Sequence, residues 1–259
     1  MSIKTYVVTG AASGIGAALA GVLKAADHRV IGLDIADDPG NLDQFIKVDL
    51  DDPASIRDAL AAIDEPVEGL CNSAGLPPRS GLEAKILSVN FYGTRAFTDG
   101  LKNRISQGGA VVNLASRAGH RWPDNVDQVK RLAASTDPTA FVEQEKIDPV
   151  RAYDLSKEAV ILWTMASSEA YANQGLRINS ISPGAVDTAI MADFETAFGA
   201  RMSKNVARAG RAGTAREIAE LAAFLLSPKS SWIKGTDISI DGGMSAFNGS
   251  DAMGLDALL

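Results

Sequence analysis

Tyr153 and Lys157 stand four residues apart in Tyr153-Asp-Leu-Ser-Lys157, a spacing that carries a phenol and an ammonium onto one face of a helix. A free phenol has a pKa of about 10 and exchanges protons near neutrality only where a fixed positive charge stabilises the phenolate. Lowering that value to near 7 takes about 4 kcal/mol of differential stabilisation, which an ammonium in a partly desolvated cleft helps to supply. Lys157 is that charge in this reading. Ser116 follows the apolar run Ala110-Val-Val-Asn-Leu114, at the carboxyl edge where ligands sit in open parallel sheets, and its hydroxyl can hydrogen-bond a carbonyl or alcohol oxygen. His28 and His120 are the only histidines, and neither stands in a motif with Ser116 or Tyr153. The serine is therefore not read as an acyl nucleophile.

The elements that must position these groups begin at the amino terminus. Ile3-Lys-Thr-Tyr-Val-Val-Thr9 reads as a buried strand running into Gly10-Ala-Ala-Ser-Gly14-Ile-Gly16, with a helix expected over Ala17 to Ala26. Glycines at a strand-to-helix turn allow positive φ and close backbone approach, so the N–H groups at the helix start can face a pyrophosphate. The spacing G-x-x-x-G-x-G differs from the commoner G-x-G-x-x-G fingerprint. A second strand, His28 to Asp34, ends in an acid whose carboxylate can accept from both adenosine ribose hydroxyls and repels a 2′-phosphate. No Lys or Arg lies between Thr9 and Gly16, and Ile35 follows the acid. NAD is expected over NADP.

With these landmarks the chain resembles the short-chain dehydrogenase/reductase family over nearly its whole length. Thr9-Gly-Ala-Ala-Ser-Gly-Ile-Gly16, Asp49-Leu50, Asn72-Ser-Ala-Gly75, Asn90, Ser116, Tyr153 with Lys157, Pro183-Gly184 and Thr188 come in the family's order. The resemblance implies an α/β fold: a Rossmann-like doubly wound parallel sheet forming one NAD-binding domain over residues 1–259. It implies an NAD-dependent enzyme acting on CH–OH groups, in which hydride passes between the substrate carbon and nicotinamide C4. Tyr153 would move the proton on the substrate oxygen, Ser116 would fix and polarise that oxygen, and Lys157 would hold the nicotinamide ribose. Asn90 would support a water chain to solvent. Cofactor contacts are implied for Gly10, Ser13, Gly14, Ile15 and Gly16 in the glycine turn, and for Asp34 at the ribose. Asp49 and Leu50 would meet the adenine, and Asn72, Ala74 and Gly75 the adenosine ribose, although the Asn72 turn also steadies the sheet in the family. Pro183, Gly184, Val186 and Thr188 would hold the nicotinamide together with Tyr153 and Lys157.

Two departures from the family's usual layout carry information about substrate. The link from Gly75 to Asn90 is short and contains Pro77-Pro78, so the helix expected there is shortened or absent. The link from Ser116 to Tyr153 is long. This insertion, residues 117–152, holds helix-compatible stretches from Asp124 to Ala134 and from Pro138 to Lys146. Trp122, Val126, Val129 and Leu132 are expected to pack inward, with Asp124, Asp127, Lys130 and Arg131 facing water. Such a segment can wall the pocket mouth or cover the helix face through which family members form tetramers. The combination is similar to the 3α-hydroxysteroid dehydrogenase/carbonyl reductase and coniferyl-alcohol dehydrogenase branch, which implies a bulky apolar or aromatic alcohol as substrate. Ile190, Met191, Phe194, Phe198 and Met202 recur at helical spacing in the substrate loop, residues 186–208, making Met191 and Phe194 substrate contacts beside Ser116 and Tyr153. A small polar polyol or sugar is the alternative substrate, and a non-catalytic NAD(H)-sensing or scaffold protein is the alternative class.

Composition is consistent with this reading. A chain of 259 residues can bury one large core. A net charge of −7 disfavours nucleic acid and anionic membrane as partners. The first strand begins near Ile3, leaving no room for a signal peptide, and no apolar run approaches the roughly 20 residues of a membrane span, so a cytoplasmic enzyme is expected. Cys71 is the only cysteine, which excludes an intramolecular disulfide, and no metal cluster is expected. Ser231-Trp-Ile-Lys-Gly235 and the strand Asp237 to Ile240 resemble the family's carboxyl-terminal contact region, so a homodimer through it is favoured over a tetramer.

Overall fold

Tyr6, Val7 and Val8 make the first strand apolar on both faces, as a strand covered by helices on both sides must be. In the computed structural model, which describes residues 3–258, this strand is β1 (Thr5–Thr9). It is followed by α1 (Gly14–Ala25), β2 (Arg29–Asp34), β3 (Gln44–Lys47), α2 (Pro53–Ala61) and β4 (Val67–Asn72). A short α3 (Glu83–Leu87) passes through a π-helical turn, Ser88–Gly93, into α4 (Thr94–Leu101), and β5 (Ile105–Leu114) follows. The insertion supplies α5 (Trp122–Ala134) and α6 (Pro138–Glu145) before the long α7 (Pro149–Asn173). The chain continues through β6 (Arg177–Pro183), β7 (Val186–Asp187), α8 (Met191–Ala209), β8 (Gly213–Thr214), α9 (Ala215–Leu226), β9 (Asp237–Ile240) and α10 (Met244–Met253).

Seven strands form one parallel sheet in the order β3-β2-β1-β4-β5-β6-β9, and β7 and β8 pair separately. The order reverses between β1 and β4, and the crevice outside their carboxyl ends is where ligands of such sheets bind. Helix starts are fixed by local chemistry. Asp52, Asp137 and Asp148 cap α2, α6 and α7, each ahead of a proline in the first turn, and Thr214 and Glu217 form a capping box on α9.

Several boundaries differ from expectation. Helix α1 starts at Gly14 rather than Ala17, because the last residues of the glycine turn already form its first turn. Strand β5 starts at Ile105 rather than Ala110, and its register against β4 shifts between Val67 and Gly69. The helix in the short link survives as the five residues of α3.

Two apolar layers, one on each face of the sheet, hold the strands. A third cluster joins Ile86 and Leu87 of α3 and Leu155 of α7 to Val129, Leu132, Phe141 and Ile147 of the insertion. Asp124, Asp127, Lys130 and Arg131 are exposed as expected, and Trp122 and Val126 are half-buried.

Candidate active site

Helix α7 carries Tyr153 and Lys157 against the carboxyl end of β5. Both are buried, and the Lys157 Nζ lies 5.7 Å from the centre of the Tyr153 ring. The ammonium donates to the Leu114 carbonyl at 2.8 Å, tying the helix to the strand end that leads into Ser116. Ser116 shares one cavity with the phenol, and its hydroxyl accepts from the Ala118 N–H at 3.1 Å. The three side chains brought together by sequence spacing therefore meet in one place.

The electrostatics show what the protein groups do by themselves. Burial pushes the Tyr153 phenol up to about 12, outweighing the lowering effect of the Ser116 hydroxyl, and the Asp154 carboxylate pushes in the same direction as burial. Burial also brings the Lys157 ammonium down to about 8. Protein groups alone thus do not lower the phenol, because its cation is itself desolvated.

Asn90 stands behind this group in the π-helical turn, a local irregularity that recurs at functional sites. Its side chain is fully engaged: Oδ1 accepts from the Leu76 N–H at 2.7 Å, while Nδ2 donates to the Leu76 carbonyl and the Ser156 hydroxyl, both at 3.1 Å.

A cavity of about 180 Å³ opens over the phenol. Ser116, Tyr153 and Lys157 line its floor, Pro183, Gly184, Val186 and Thr188 one side, and Met191, Phe194, Phe198 and Met202 of α8 another. Phe194 meets the Tyr153 ring edge-on at 5.2 Å between centres and stacks on Phe198 at 6.2 Å. Arg117, Asn205 and Met244 also line it, none of them singled out by sequence. Met244 arrives from α10 and Asn205 continues the α8 stripe, so tertiary packing rather than a motif brings both there. The insertion contributes only its first residues, Arg117 and Ala118; α5 and α6 do not line the cavity, which corrects the expectation of a wall at the pocket mouth. Their apolar residues are spent on α3 and α7 instead.

A second cavity, of about 230 Å³, adjoins the first and is lined by Gly10, Ser13, Gly14, Ile15, Asp34, Asp49, Leu50, Ala74 and Gly75. Its lining brings the glycine turn together with the acid that closes β2. Gly10 has φ +70°, and a Cβ there would lie 2.8 Å from the Ala74 nitrogen; a Cβ on Gly16 would lie 2.2 Å from the Gly10 carbonyl oxygen. The turn can therefore close only without side chains, leaving backbone facing the cavity. The Asp34 carboxylate is held at the rim, accepting from the N–H groups of Ala12 and Ala36, each at 3.0 Å.

Two expected cofactor contacts lie away from both cavities. Gly16 is packed under the turn. Asn72 is turned toward α4, where its Nδ2 donates to Thr98 Oγ1 of that helix and to Asn113 Oδ1 of the neighbouring strand, both at 2.8 Å. A buried amide N–H needs such partners. The neighbouring backbone is fixed separately, by Ser73 and Ala74 N–H groups donating to Thr9 Oγ1.

Comparison with known proteins agrees with this geometry. The short chain dehydrogenase family profile matches residues 4–126, and the enoyl-(acyl carrier protein) reductase profile matches residues 138–245. The chain is 35% identical to the coniferyl-alcohol dehydrogenase of a Pseudomonas species, over 94% of this chain and 97% of that one. It is 31% identical to the 3-alpha-hydroxysteroid dehydrogenase/carbonyl reductase of Comamonas testosteroni, over 93% and 96%. The crystal structure of the 3-alpha-hydroxysteroid dehydrogenase from Pseudomonas sp. B-0831, complexed with NADH, superposes with a TM-score of 0.84 at 32% identity, over 94% of this chain and 97% of that one.

Proposed function

The chain belongs to the short-chain dehydrogenase/reductase family and is an oxidoreductase of CH–OH groups, and on that premise we propose that it interconverts a bulky apolar or aromatic alcohol and its carbonyl, using NAD(H). The observation that carries this reading is the junction of Ser116, Tyr153 and Lys157 with an apolar wall formed by Met191, Phe194, Phe198 and Met202. A sugar would leave its hydroxyls unpaired against that wall.

The bound nicotinamide supplies or accepts the hydride. Tyr153 gives a proton to the substrate oxygen in reduction and takes it in oxidation, and Ser116 holds that oxygen by its hydroxyl. Lys157 binds the nicotinamide ribose and supplies positive charge beside the phenol. Asn90 fixes the Leu76 backbone and Ser156 beneath them. Asp34 selects NAD over NADP: its carboxylate suits two ribose hydroxyls and repels a phosphate. Residues 186–208 act as the substrate loop, whose helix α8 carries the apolar wall and bends at Gly199.

The assembly we favour is a dimer through the carboxyl-terminal region. There β9 is a sheet edge paired only with β6, Trp232 is 93% exposed, and Phe224 of α9 is also exposed. The other common face is covered by α5 and α6 where they pack on α3 and α7. NADH absorbance over a panel of steroid-like, aromatic and sugar alcohols tests the reaction. The wild type should turn over the apolar members, and Tyr153→Phe should bind cofactor normally while losing roughly 10²-fold or more in turnover. Near-normal turnover in that variant, or a preference for sugars, would overturn the reading.

A further inference from the structure

Asp49 is held at three points. Its N–H donates to the Ser55 hydroxyl at 2.9 Å, and its Oδ1 accepts from the Asp51 N–H at 2.9 Å. Its Oδ2 lies 3.7 Å from the Nζ of Lys85, which stands equally close to Asp51 Oδ2. Lys85 belongs to α3, the five-residue helix left by the short link between Gly75 and Asn90. Among the described residues that line the second cavity, it is the only cation.

A carboxylate that reads an amino group must present one oxygen in a fixed direction, and an exposed aspartate turns freely about its last torsion. With Oδ1 bound to a backbone N–H, the remaining freedom is that of Oδ2, and Lys85 is the group that limits it. We propose that Lys85 is a positioning residue for base recognition: it holds the Asp49 carboxylate in the orientation that accepts the amino N–H of an adenine. This rests on the reading of Asp49 as the adenine contact.

Calorimetric dissociation constants for NAD and for nicotinamide hypoxanthine dinucleotide, which carries a carbonyl where adenine has its amino group, separate this role from simple charge. The general attraction of Lys85 for a dinucleotide phosphate acts on both ligands and cancels in their ratio. The wild type should bind NAD more tightly than the analogue. Whatever it does to both ligands in common, Lys85→Met should lower the preference for NAD over the analogue about two- to fivefold, the range of a partly exposed pair. Lys85→Arg should restore the wild-type ratio. Asp49→Asn tests the underlying reading: the preference for adenine should collapse. If Asp49→Asn leaves the preference intact, Asp49 does not read the base and the proposal falls with that reading. If Asp49→Asn abolishes it while Lys85→Met weakens both ligands equally or neither, Asp49 reads adenine unaided and the role of Lys85 alone is overturned.

Discussion

Replacing Lys157 by Met removes the amine but keeps an unbranched side chain of similar length, and the consequence follows from the order in which the buried pair titrates. The phenol stands near 12 and the ammonium near 8, so among protein groups the amine loses its proton first. The state with phenolate and ammonium lies above the neutral pair by that gap, about 5 kcal/mol. Attraction across the 5.7 Å from Nζ to the ring centre returns about 3 kcal/mol at an effective dielectric of ~20. About 2 kcal/mol remains, the size of one hydrogen bond to a charged group, so a ribose hydroxyl accepting from Lys157 is enough to balance the two states. The Met variant forfeits the attraction, and its phenolate population at fixed pH should fall about 10²-fold. The assay is the pH dependence of kcat for alcohol oxidation at saturating cofactor, with folding checked by circular dichroism. In oxidation Tyr153 acts as its ionised form, so the rate rises with pH until the phenol is titrated. The wild type should reach its plateau below about pH 10, whereas the variant should still be climbing there, roughly 10²-fold lower near neutrality. A variant profile that reaches its plateau at the wild-type pH, merely scaled down, would refute the assignment of Lys157 as the group that sets the tyrosine's ionisation.

Other perturbations follow from the same geometry. Arg151→Met strips two hydrogen bonds, at 2.9 and 2.7 Å, from the fully buried Glu158 carboxylate and leaves it only Asn125; the loss should be about 3–5 kcal/mol, a fall in Tm of roughly 6–9 °C, and a scan showing less than about 1 °C would mean that the charge is not isolated there. Asp34→Ala should cut kcat/KM for NAD about tenfold or more while raising it for NADP; a wild-type preference for NADP would contradict the role assigned to this acid. Trp232→Glu should turn the proposed dimer into a monomer in light scattering, and an unchanged mass would move the interface elsewhere.

What could be read from the chain was what local spacing encodes. The glycine turn, the acid closing β2 and the Tyr–Lys pair each lie within one strand, turn or helix, and their positions follow from period and φ preference. The doubly wound parallel sheet followed from the family resemblance built on them. Three things were not legible. The direction of the Asn72 side chain depends on Thr98 and Asn113, which lie on other elements. The presence of Met244, Asn205 and Lys85 at the cavities depends on how α10, α8 and α3 pack. The raised phenol and lowered ammonium depend on desolvation, which no spacing reveals.

The insertion is the feature whose role changed most between chain and fold. Tyr153 opens the second turn of α7, directly behind the first turn, whose N–H groups have no partner within the helix, and helix ends are where local opening is easiest. A catalytic phenol in that position needs support from outside its own helix. The insertion provides it three times over: Phe141 and Ile147 pack into the cluster that holds Ala152 and Leu155, Asn125 reaches Glu158, and Gln128 binds the Arg151 guanidinium that pairs with the same carboxylate. The turn leaving Ser116 presses on the helix as well, since a Cβ on Gly119 would lie 2.7 Å from the carbonyl carbon of Lys157. The long link between serine and tyrosine therefore acts through the catalytic helix rather than over the pocket. On the proposed reading substrate selection then falls to α8, whose Phe194 also packs against the Tyr153 ring.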